Sequence, residues 1–240
     1  MKRLLHAAAA ALATTAPAAA QESVTLTLDW LEVVGGTSTP VANPNGMLEP
    51  GESARLSITA LITPPIGSPA TYSPPPSPGI GTIAGLSAIF LDLAVGSQFN
   101  PSPSGAGSWD FIHRAPGWAL GSQGWPTTNG ALTWIQAGQF TLPGNTANSA
   151  NPINEIWQGV WTPASYSERN TVWQIFPGLA DDGAPASILI QYGTDPSGYP
   201  LYVSKYATGI FGSATIPIIP APASLLAVSA LFLQRRKRCS

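Results

Sequence analysis

The polar and apolar positions of this chain alternate in short runs. Val24, Leu26, Leu28 and Trp30 alternate with Thr25, Thr27 and Asp29, the period of a strand with one face buried. Ala54, Leu56, Ile58, Ala60 and Ile62 repeat the pattern against Arg55, Ser57 and Thr59. Further strands are expected over Gly85–Val95, Ala131–Leu142, Ile156–Trp161, Thr171–Phe176, Ile188–Tyr192, Leu201–Tyr206 and Ile210–Ile219. Between them, 24 glycines and 25 prolines would break any helix longer than a few turns. The pattern predicts an all-β domain over residues 21–218, an antiparallel β-sandwich of jelly-roll or Ig-like type. The stretch Pro64–Pro78, with Ser73-Pro74-Pro75-Pro76-Ser77-Pro78, reads as a stiff polyproline-like loop between strands, or as a ligand for a proline-binding groove.

Asn45-Gly46-Met47-Leu48-Glu49-Pro50-Gly51-Glu52 carries two turn signals. Asn-Gly suits positive φ, and Pro50-Gly51 suits the central positions of a type II turn. The stretch resembles an entry turn found in secreted β-sandwich modules of bacterial surface proteins, which implies a sandwich and no activity. Glu49 and Glu52 are either solvated turn acids or two weak calcium ligands.

The two ends have a different character. Met1-Lys2-Arg3, the Ala-rich apolar run to Ala20 and the small residues before Gln21 form a secretory signal peptide, residues 1–20, cut by signal peptidase between Ala20 and Gln21. At the other end, residues 219–240, Pro220-Ala221-Pro222 precedes the apolar run Ala223–Leu233 and the basic cluster Arg235-Arg236-Lys237-Arg238. These eleven residues, two of them serine, make a short helix, well below the roughly 20 apolar residues that span a membrane, and the cluster would stop on the cytoplasmic side. These three parts, in this order, resemble the PEP-CTERM sorting tail, with alanine where that family has glutamate. The resemblance implies an exosortase-like enzyme, processing near the Pro-x-Pro motif, and display on or release from the surface of a Gram-negative-type bacterium. The alternative is a plain membrane anchor with an incidental or palmitoylated Cys239.

Without these ends the body holds Arg55, Arg114, Arg169 and Lys205 against all 12 acidic residues, a formal charge of −8 rather than −2. That balance excludes a nucleic-acid footprint, which needs clustered Lys and Arg. With Cys239 in the tail and His113 the body's one histidine, no metal site or cofactor is expected. No Gly-x-Ser-x-Gly elbow or phosphate-cradling loop occurs, and His113 with Asp110 is weak support for a secreted hydrolase.

Seven of the eight tryptophans fall between Trp109 and Trp173. Trp157 and Trp161 read as core, whereas Trp118 and Trp125, in Gly/Pro/Ser-rich surroundings, read as exposed. Two readings therefore stand: a non-enzymatic surface or extracellular-matrix protein, and a carbohydrate-binding module that stacks Trp118 and Trp125 on surface polysaccharide.

Overall fold

The computed structural model describes residues 22–34, 45–72, 79–139, 153–178, 188–194 and 197–220. In chain order the strands are β1 (Ser23–Val34), β2 (Glu52–Thr63), β3 (Pro69–Tyr72), β4 (Gly79–Val95), β5 (Gly107–Arg114), β6 (Gln123–Pro126), β7 (Leu132–Gly138), β8 (Ile153–Pro163), β9 (Arg169–Pro177), β10 (Ile188–Thr194), β11 (Pro200–Tyr206), β12 (Thr208–Phe211) and β13 (Ser213–Ile218). One sheet runs β12-β1-β2-β8-β5. The second runs β11-β10-β4-β7-β6, with β3 and β9 also paired to β4, and β13 to β9. All pairings between named strands are antiparallel except β1 with β12.

The alternation has the consequence expected of it. Leu26, Leu56 and Ile58 from the first sheet and Leu91, Ile135 and Ile190 from the second are fully buried in one shared core. Two sheets closing over one core is the arrangement of a β-sandwich, in which each strand buries alternate residues. β1 and β2 pair without a break from Ser23↔Thr63 to Val34↔Glu52.

The segment entering β2 is tied down at several points. Gly46 and Gly51 take φ of 77° and 99°, the Asn45 side chain accepts from the Met47 N–H at 2.9 Å, and the Glu52 N–H donates to the Glu49 carbonyl at 3.0 Å. Glu32, 2 % exposed, accepts from the Asn45 and Met47 N–H groups at 3.1 and 2.9 Å. Leu48 between them is fully buried and exchanges backbone hydrogen bonds with the chain end: its N–H donates to Pro217, and its carbonyl accepts from Ile219. The Glu52 carboxylate accepts from the Glu49 N–H at 2.8 Å, so the acids close the turn on each other. Tyr166 packs over this turn, and burial pushes its hydroxyl pKa up from 10.0; the charge of Glu52 adds to the rise and a backbone hydrogen bond at Gly51 opposes it. Glu32→Ala strips the backbone donors of exposed Asn45 and half-buried Met47 of a buried charged acceptor and is expected to lower stability by about 1.5–3 kcal/mol, read as a shift of the urea midpoint at unchanged slope.

Two expectations need correction, and one strand falls where none was expected. The stretch read as a polyproline-like loop contains β3, which pairs Pro69–Tyr72 with Gly79–Thr82; residues 73–78 lie outside the described residues. The segment around His113, which carried no strand expectation, is β5. The run Ile210–Ile219 is two strands in different sheets, β12 on β1 and β13 on β9. Gly212 makes the switch possible, because its N–H donates to the Leu26 carbonyl at 2.8 Å and a Cβ there would stand 2.7 Å from that same oxygen.

Among the described residues no helix is long and apolar enough to cross a membrane. The leader, the Ala20–Gln21 cut, Ala221, Pro222, the apolar run and Arg235–Arg238 lie outside the described residues. Pro220 is described and is exposed.

Candidate functional site

Five of the tryptophans between Trp109 and Trp173 are core. Trp109 on β5, Trp157 and Trp161 on β8, and Trp173 on β9 bridge the two sheets edge to face: Trp109–Trp173 and Trp161–Trp173 centroids are 5.2 Å apart, and Trp109–Trp157 6.1 Å. Three of the four ring N–H groups go to backbone oxygens, from Trp109 to Gly130 at 2.6 Å, Trp157 to Gln123 at 2.8 Å and Trp161 to Gly105 at 3.1 Å, while that of Trp173 is buried without a partner among the described residues. Such tilted contacts suit the negative face and positive edge of the indole. Trp118 is the fifth, at 2 % exposure, and the expectation of an exposed ring was wrong. Its N–H closes a turn onto the Ala115 carbonyl at 3.1 Å through Gly117, at φ 92°. The glycine-rich surroundings that suggested a surface loop fold the ring back into the core.

Trp125 is 67 % exposed, as read, on the edge strand β6. A stacking pair of Trp118 with Trp125 does not exist, since only one of the two reaches solvent.

Another aromatic takes that place on the outer face of the second sheet. Trp134 on β7 is 51 % exposed and sits at φ 62°, in the left-handed region that bulky residues avoid. The β4–β7 register slips there, Leu91 facing Ile135 and Leu93 facing Leu132, so the extra residue forms a bulge opposite Asp92. Asp92 accepts the Trp134 N–H at 2.9 Å and the Gln98 amide at 2.8 Å, and the same amide donates to the Pro177 carbonyl at 2.8 Å. The bulge is therefore held from below by a carboxylate that is itself fixed. The Trp134 ring tilts at 53° to Phe90, centroids 5.5 Å apart. Phe90 in turn walls a groove of about 320 Å³ that Ser87, Leu120, Gly121, Gln136 and Leu189 help to line.

No family model matches this chain, and no curated protein is significantly similar to it.

His113 lies against the Phe111 carbonyl at 3.0 Å and the Gln158 amide. Asp110 pairs along the backbone with Val160, on the far side of a register shift from His113. Phe111, in that shift, is the other non-glycine residue at positive φ among the described residues, at 50°, and is half exposed. Among the described residues no three His, Cys, Asp or Glu side chains gather as a metal ligand set.

Trp134 was missed as a site residue because a strict two-residue period puts it on the same face as Leu132. The spacing of Leu132 and Ile135, both fully buried and three apart, is the signal of the bulge that turns it outward.

Proposed function

We propose that this is an exported, non-enzymatic surface or extracellular-matrix protein, freed of its leader by signal peptidase and processed at its C-terminus by an exosortase-like enzyme. The observation that supports the reading is where the fold stops. Strand pairing starts at Ser23, two residues after the Ala20–Gln21 junction is passed, and the last backbone hydrogen bond of the body is the Ile219 N–H to the Leu48 carbonyl. Pro220, exposed, follows at once. Every described strand lies between the two expected cuts, so neither removal takes a described strand with it.

The reading carries a direct test. Protein recovered from its own cells is expected to start at Gln21 and to lack Arg235–Ser240, plus or minus an attached group, by intact mass and N-terminal sequencing. An intact Met1, or a mature mass that includes Cys239 at the cell surface, would sink the export or the sorting step respectively.

The carbohydrate-binding reading is also favoured by a specific observation, though not with the residues first read for it. The rigid, half-exposed Trp134 beside Phe90 supplies an aromatic surface that Trp118 cannot.

A further inference from the structure

We propose that Trp134, with the adjoining groove that Phe90 walls on the outer face of the second sheet, binds a neutral polysaccharide whose pyranose rings carry equatorial hydroxyls. This deepens the carbohydrate-binding reading, on which it rests, and is independent of the sorting one.

Trp134 bears two costs at once: a left-handed backbone at φ 62° and an indole half in water. Neither serves the core, because Leu132 and Ile135 on the same strand are already fully buried. Strain of this kind persists where the surroundings impose it, and it clusters at binding sites. Here Asp92 and Gln98 impose it through the hydrogen bonds to the Trp134 N–H and the Pro177 carbonyl. The ring is thus presented in a fixed pose before any ligand arrives, which spares the ordering cost of binding.

The chemistry of the surroundings selects the occupant. A pyranose with equatorial hydroxyls offers a flat face of C–H groups, weakly electropositive, that matches the negative face of an indole. Its rim of hydroxyls both donates and accepts, as does the amide of Gln136 in the groove. Phe90 extends the apolar strip, and the groove beyond it, about 320 Å³, lies at the small end of small-molecule sites. Among the described residues no lysine, arginine or histidine side chain lines that groove; the Arg114 guanidinium reaches its edge only by donating to the Gly121 carbonyl, and the charged group holding Trp134 is the Asp92 carboxylate. Uronic acid or phosphate polymers would meet repulsion there, whereas an uncharged glycan would not.

The test is native affinity electrophoresis of the protein as its own cells produce it, in gels containing hydroxyethylcellulose, a galactomannan or alginate. Wild type is expected to be retarded by a neutral polymer and not by alginate. Trp134→Asn removes the ring and keeps a residue that tolerates positive φ; it is expected to weaken retardation about tenfold, the scale of one lost aromatic contact. Trp134→Phe should keep part of it. Phe90→Leu, with a melting curve for each variant, separates loss of the ligand from loss of the fold. Normal mobility in both neutral polymers, retardation unchanged in Trp134→Asn, or preference for alginate overturns the proposal. So does displacement of the polymer by a peptide of residues 64–78, which would make the groove a proline-binding one.

Discussion

Gly130→Ala is expected to cost the protein about 2–5 kcal/mol, a large share of the roughly 5–15 kcal/mol that holds an ordinary domain together. Gly130 has φ 82°, and a Cβ there would stand 1.9 Å from the Gly105 carbonyl oxygen and 2.7 Å from its carbon. Backbone cannot swing aside as a side-chain tip can, so one of the two loops must move. Both loops carry tryptophan acceptors: Gly130 receives the Trp109 ring N–H and Gly105 that of Trp161. Stranding one buried donor costs about 1–3 kcal/mol, and the left-handed backbone adds about 1–2 kcal/mol for any residue with a Cβ. Gly46→Ala is the matched control, with φ 77° and nothing within 4 Å of the added carbon. It should show the backbone cost alone. Guanidinium unfolding followed by near-UV circular dichroism reads both. Equal losses in the two variants would mean that the tryptophan cluster does not depend on the Gly105–Gly130 contact.

The second large effect concerns the tail and rests on the sorting reading. Ala223–Leu233 is too short to hold firmly, so Arg235-Arg236-Lys237-Arg238 would hold it until it is processed. Each cation at mid-membrane costs about 2.5–3.5 kcal/mol, enough together to arrest passage. Replacing all four by serine is expected to release the unprocessed chain into the medium. Pro220→Ala with Pro222→Ala should keep the chain at the membrane, heavier than wild type by the unremoved tail. Since Pro220 lies just past the last bonded residue of the body, the double variant should melt like wild type. A proline variant processed normally would make the tail a plain anchor.

The period-two runs in Val24–Trp30 and Ala54–Ile62 were legible because a strand with one face on a core must alternate, whatever its partner. The Pro50-Gly51 turn was legible for a similarly local reason, since only glycine takes its φ without strain. Trp125 was read as exposed and is. Trp118, in equally glycine-rich surroundings, is not, because exposure depends on which way a turn folds the ring. Ile210–Ile219 read as one strand, and only the approach of the Leu26 carbonyl to Gly212 marks the crossing between sheets there.

The sequence by itself therefore determined what local chemistry dictates: the all-β class, the turn into β2, the acidic body, and the two terminal segments whose order of basic, apolar and small residues needs no fold to be read. Tertiary structure alone decided which strands share a sheet, which tryptophans face the core, and where Trp134 points. The register slip between β4 and β7 is a property of two strands that are distant in sequence, and it turns a residue of apolar character toward water. The bulge is held there by an aspartate 42 residues away, a contact no period in the sequence encodes.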